Sequence, residues 1–129
     1  MIRCLAMEVN RRLDIGKISD YQRQFVKDRE WDQFHTPKNL AMALAGEAGE
    51  LLEIFQWLNE EQSKCLTTDS KKSEALRHEI ADILYYLVRL ADISGIDIEA
   101  AFWEKARLNE KKYPADLARG NARKYTEFS

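Results

Sequence analysis

Thr36-Pro-Lys-Asn-Leu40-Ala-Met-Ala-Leu44-Ala-Gly-Glu47-Ala-Gly-Glu50-Leu51-Leu-Glu-Ile54-Phe-Gln-Trp-Leu58 opens with the two residues that best start a helix. The threonine hydroxyl can accept from a first-turn amide, and the proline takes the first helical position, where its missing N–H costs nothing. At about 100° per residue, Leu40, Leu44, Leu51, Ile54 and Leu58 fall on one stripe. That spacing predicts a long amphipathic helix reaching about Glu60. Glu47 lies within the same apolar stripe and Glu50 on its flank. A carboxylate among leucines is costly unless it is paired, protonated or metal-bound.

Outward from this stretch the punctuation marks three more helices. Ser19 with Gln22 three residues on makes a capping box, predicting a first helix over 19–29. Glu74 to Ser94 reads as a third helix stopped by Gly95, a residue suited to a left-handed C-terminal turn. Asp97 caps a fourth that runs to about Lys112, ahead of Pro114. The polar segment from Glu61 to Ser73 reads as a mobile loop. The sequence therefore predicts an all-α fold, a four-helix bundle. The expected organisation is an N-terminal extension over 1–18, a helical domain over 19–114 and a C-terminal tail over 115–129.

Composition narrows the function. The 129 residues are 45% hydrophobic and 33% charged, with a net charge of −2, which excludes a polymeric nucleic-acid binder driven by electrostatics. No apolar run is long enough for a membrane span, the start carries too little apolar content for a secretory signal, and no repeat is present. Cys4 and Cys65 have neither metal-ligand nor redox spacing and read as thiols of a reducing cytoplasm.

On the third helix Leu76, Ile80, Ile83, Leu87 and Leu90 form the apolar stripe. Glu79 borders it, and Asp82 lies one step further round with Tyr86. Glu47/Glu50 and Glu79/Asp82 are each spaced i, i+3, so the two acids of a pair share a helix face. Antiparallel packing of the two helices could join all four. Four oxygen donors without histidine or cysteine suit Mg²⁺, or Mn²⁺, rather than zinc. Acidic pairs at this spacing are also common on solvated faces, and Gly46 and Gly49 are explained as well by close helix packing as by a phosphate site.

Glu47-x-x-Glu50 followed by Glu79-x-x-Asp82 resembles the ExxE…ExxD signature of the MazG-like all-α nucleotide pyrophosphatases. The segments Glu30–Leu40, Gly46–Leu51, Phe55–Trp57, Glu79–Leu87, Asn109–Pro114 and Arg123–Glu127 are similar to the dCTP pyrophosphatase branch. The resemblance implies that Glu47, Glu50, Glu79 and Asp82 bind magnesium. It implies that Trp31 and Trp57 enclose the base with His35 in the same pocket, and that Tyr86, Lys105 and Asn109 lie near sugar and phosphates. Vertebrate members of the branch carry a histidine near the base where this chain has Gln22, so Gln22 is a candidate base contact and strict dCTP preference is in question. By sequence alone Trp31 and Trp57 equally suit a core or an interface, His35 a structural hydrogen bond, and Lys105 and Asn109 a solvated face.

The implied reaction is metal-assisted attack of water on the α-phosphorus of a nucleoside triphosphate, releasing pyrophosphate. Glu47 or Glu50 is the candidate proton acceptor, and Lys105, with Arg123 or Lys124, would bind pyrophosphate. The rival readings are a non-enzymatic helical module that binds a partner, or a related pyrophosphatase that prefers another base such as dUTP. Leu84, Tyr85, Val88 and Ala91 fall outside the main stripe of the third helix, and Phe102, Trp103 and Ala106 add to the fourth. This surplus predicts a homo-oligomer. The family forms dimers and its dCTP branch tetramers, which implies a dimer of dimers with the Tyr125 tail on a neighbouring subunit.

Overall fold

A computed structural model describes Val9 and residues 11–128; Cys4 and the rest of the first ten residues lie outside that description. Helices α1 (Ile15–Asp28), α2 (Pro37–Phe55), α3 (Glu60–Lys64), α4 (Ser70–Ile93), α5 (Ile98–Lys112) and α6 (Ala115–Ala118) follow one another, and no strand occurs among the described residues. The chain forms two compact units, one ending at Gly95 and the other running from Ile96.

In the first unit α2 lies along α4, and α1 packs against α4. Leu40, Val26, Leu66, Val88 and Ala91 are its buried apolar residues. The stripe expected on α2 holds: Leu40 is buried, and Leu44, Glu47, Leu51 and Ile54 are half-buried. On α4 the outcome differs. Ile80 and Leu87, expected in the core, are 54% and 42% exposed, whereas Val88 and Ala91, expected outside it, are buried. The reason is α1. The Gln22 amide donates to the Tyr85 carbonyl at 2.8 Å, and Arg23 clasps Asp92 through both of its forks. That face of α4 is thus covered by α1 within the chain.

Helix ends follow side-chain chemistry. Asp14, not Ser19, caps α1 by accepting from the Lys17 amide at 2.9 Å, so the helix starts one turn earlier than expected. Thr36 and Pro37 open α2 as the sequence requires. That helix stops at Phe55 instead of Glu60, and the expected mobile loop after it is structured. Asn59 and Gln62 form a reciprocal capping box that starts α3, a 3-10 turn over Leu66–Thr68 buries Leu66, and Asp69 caps α4. A buried leucine anchors what its polar neighbours made look like solvent-exposed chain.

The exit from α1 shapes the site. Glu30 has φ +54, its amide donates to Lys27 O and that of Trp31 to Val26 O. This is a Schellman turn with glutamate where glycine is the usual residue. Left-handed backbone at a residue with a Cβ costs about 1 kcal/mol. Glu30→Gly is therefore expected to raise stability by about that amount, read as a higher denaturant midpoint; a lower midpoint would mean that the glutamate side chain contributes more than its backbone costs.

In the second unit Asp97 caps α5, accepting from the Ala100 amide at 2.9 Å. The tail returns onto the end of this helix: Tyr125 and Phe128 meet the Tyr113 ring edge-on at 5.9 and 6.0 Å, and Lys112 lies 5.0 Å from the Tyr125 ring. No helix among the described residues is long and apolar enough to cross a membrane.

Candidate metal and nucleotide site

The pairing of α2 with α4 gathers carboxylates. One oxygen each from Glu47, Glu50 and Glu79 lie within 4.8 Å of one another. Asp82, expected as the fourth member, is close enough for its charge to act on both Glu47 and Glu79. Desolvation first, then the neighbouring Glu50 carboxyl, pushes Glu47 up to about 7. Glu79 is raised as well, chiefly by desolvation and the Glu50 charge. Glu47 Oε2 and Glu79 Oε2 are both buried with no hydrogen-bond partner. Two buried, partnerless carboxylate oxygens in a cluster of like charge require either protons or a cation. An all-oxygen donor set of this kind could hold a hard divalent ion.

Beside this cluster Phe25, Trp31, His35, Asp82, Tyr85 and Tyr86 line a cavity of about 220 Å³. Each wall residue has a local cause. The Schellman turn delivers Trp31, whose ring meets Phe25 edge-on at 5.9 Å. A 3-10 turn over Asp32–Phe34 then brings His35 within 6.4 Å of the Trp31 ring. Asp82 and Tyr86 sit i, i+4 on α4. Burial, then the negative charge of Glu47, Asp82 and Glu50, raises the Tyr86 phenol. It therefore stays neutral, a hydrogen-bond donor beside the acids.

Sequence reading missed a polar network behind this wall. Arg89, 4% exposed, donates from Nε to His35 Nδ1 at 3.2 Å and from its two terminal nitrogens to Asp32 at 3.1 Å and Asp92 at 3.5 Å. Burial, then the Arg89 charge, lowers His35, against an opposing effect of Asp32. The signal was weak, one arginine set between Val88 and Leu90 near the end of α4.

The other candidates fall elsewhere. Gln22 is fully buried under α4, held to Tyr85 O, with its own Oε1 partnerless. Trp57, in the turn after α2, is 86% exposed and does not line the aromatic cavity. In the second unit Lys105 and Asn109 line one cavity of about 430 Å³ with Phe102 and Tyr113. The Arg123 guanidinium stands 5.7 Å from the Phe128 ring, and the Lys124 amide donates to Glu127 at 2.7 Å.

Residues 43–128, which carry all four acids, match the MazG-like family. The chain belongs to this family. Other members and relatives resemble it over most of its length. It is 43% identical to human dCTP pyrophosphatase 1 over 105 residues, 81% of this chain, and 42% identical to the rat protein over the same span. The chain spans 62% of the length of those relatives. A solved pyrophosphatase from Archaeoglobus fulgidus superimposes with a TM-score of 0.71 at 36% identity, covering 83% of this chain and 99% of that one.

Proposed function

We propose that this MazG-like chain is a magnesium-dependent pyrophosphohydrolase that converts a deoxynucleoside triphosphate, dCTP or a modified dCTP, to the monophosphate and pyrophosphate in the cytoplasm. The observation that carries the reading is the Glu47–Glu50–Glu79 cluster, with its two partnerless buried oxygens, beside a small aromatic cavity. The relatives named for dCTP hydrolysis support the substrate class.

Glu47, Glu50, Glu79 and Asp82 would hold Mg²⁺, with Mn²⁺ as a substitute. A bound divalent cation neutralises phosphate charge and lowers the pKa of an attacking water. The remaining work belongs to the chain. The water oxygen forms a bond to the α-phosphorus, the α–β bridging P–O bond breaks, and its electrons leave with pyrophosphate. Glu47 or Glu50 takes the water's proton. Tyr86 donates toward sugar or phosphate, Trp31 stacks on the base and His35 reads its edge. Lys105, Asn109, Arg123 and Lys124 are proposed as further substrate contacts from their place in the family's sequence pattern, whereas Gln22, fully buried behind Tyr85, is not in reach of a substrate. Pyrophosphate release from a panel of dCTP, 5-methyl-dCTP and dUTP, with and without Mg²⁺, tests the reading. No release from any of them would leave a non-catalytic partner-binding module; preference for dUTP would transfer the chemistry to another base.

Trp57 is the second proposed base contact. Base stacking contributes on the order of 1–3 kcal/mol, so Trp57→Ala is expected to raise KM for dCTP about tenfold with little change in kcat. Unchanged steady-state KM would remove Trp57 from the site.

Its exposure bears on assembly. Met42, Leu52, Ile80, Phe102 and Trp103 are each more than half exposed, and apolar surface of that extent marks an interface. We propose a homotetramer built as a dimer of dimers, in which the Tyr125 tail, packed by one side on Tyr113 of its own chain, turns its exposed side to a neighbour and adjoining subunits complete each nucleotide pocket. Val88 and Ala91 carry none of this argument, being buried within the chain. Light scattering at micromolar concentration is expected to give four times the chain mass of 15.1 kDa; a monomer with full turnover would overturn it.

A further inference from the structure

The Arg89 network has a chemical consequence for base choice. Arginine carries five N–H donors and no acceptor. Because Arg89 Nε faces His35 Nδ1 at 3.2 Å, that ring nitrogen has to present its lone pair. A neutral imidazole holds one N–H, so the proton is forced onto Nε2. The guanidinium is not free to turn away, since Asp32 and Asp92 hold its other two nitrogens and Arg23 in turn grips Asp92. His35 lines the cavity with Trp31, Tyr86 and Asp82.

We propose that Arg89 is a positioning residue that fixes His35 as a hydrogen-bond donor, so that the pocket accepts a nucleobase offering an acceptor and disfavours one offering a ring N–H. This rests on the reading of the cavity as a nucleobase site. Cytosine carries an unprotonated N3 on its pairing edge, whereas uracil and thymine carry N3–H. A donor-only histidine meets the first with a hydrogen bond and the second with two opposed N–H groups. Buried polar groups left without partners separate substrates far better than a missing methylene does. No base, phosphate or metal ion touches Arg89 in this scheme; its effect passes through the imidazole.

The test begins without substrate. The chain has two histidines, and His78→Gln leaves His35 as the single imidazole signal in ¹⁵N NMR. At neutral pH the proton is expected on Nε2 alone; a proton on Nδ1 overturns the proposal. Arg89→Gln replaces a group that only donates with an amide that can donate or accept. It is expected to give a mixture of tautomers and to lower the dCTP-to-dUTP ratio of kcat/KM about tenfold. Arg89→Lys, again a donor without acceptor, is expected to restore both. An unchanged tautomer together with an unchanged ratio in Arg89→Gln refutes the idea. If that variant does not fold, the unaltered protein's spectrum and the lysine variant still decide. If no nucleotide is hydrolysed by the unaltered protein, the functional reading fails, while the imidazole signal still decides whether Arg89 sets the tautomer.

Discussion

Glu47→Gln is expected to lower kcat/KM for pyrophosphate release by a factor on the order of a hundred to a thousand, because it removes a ligand from the centre of the proposed magnesium site. The same change is expected to raise the melting temperature of metal-free protein. Glu47 sits among Glu50, Glu79 and Asp82, each of which pushes its carboxyl toward the protonated form, so its ionised state opposes folding where like charges crowd. A glutamine keeps the shape and removes the charge. Opposite movement of activity and stability separates a functional acid from a structural one, since loss of a structural acid lowers both. Pyrophosphate release and a thermal melt in chelator check the pair of outcomes. Full activity with a lowered melting temperature would return Glu47 to the class of ordinary helix-face acids.

The second large effect is on pH. Glu47 is pushed up to about 7 in the folded chain, and Glu79 is raised too. Between the ordinary glutamate range and pH 7 the folded state thus holds protons that the unfolded state has released. Stability falls with rising pH wherever the native state binds more protons. The metal-free protein should therefore lose stability from about pH 4.5 to 7 and regain it when a divalent cation is added. A cation that must displace one proton binds about tenfold more weakly for each pH unit below the folded pKa. Affinity for Mn²⁺, measured by titration calorimetry, is expected to fall on the order of a hundredfold from pH 7 to pH 5. A flat profile over that interval would show that the carboxylates are ionised without metal. Glu47→Gln should reduce the slope, which ties the effect to one residue.

These expectations rest on a core that was largely legible from residue spacing. The Thr36–Pro37 start, the leucine stripe of α2 and the placing of Glu47 within it follow from a 3.6-residue period, and the structure keeps all three. The paired acids on α4 were legible for the same reason. Long-range choices were not. Nothing in the α4 sequence says that α1 covers Val88 and Ala91 while Ile80 and Leu87 are left exposed, because a helix apolar on several sides fits more than one partner equally well. The Asn59–Gln62 box was local and readable, but the surrounding Ser, Thr and Lys residues outweighed it. His35 was found through resemblance and Arg89 not at all. A buried arginine has no periodic signature; it becomes intelligible once Asp32, His35 and Asp92 surround it.

The turn at Glu30 divides the site into parts with different lifetimes. The acids ride on α2 and α4, whose amides lie in long ladders, and those amides should exchange with solvent deuterium only when most of the first unit opens. Trp31 and His35 ride instead on a left-handed turn and a 3-10 turn, held by a few bonds such as Trp31 N to Val26 O at 3.0 Å. Opening that stretch breaks the Arg89 contacts to Asp32 and His35 but leaves the helical ladders beneath the carboxylates in place. The aromatic wall can open many times within one lifetime of the carboxylate cluster.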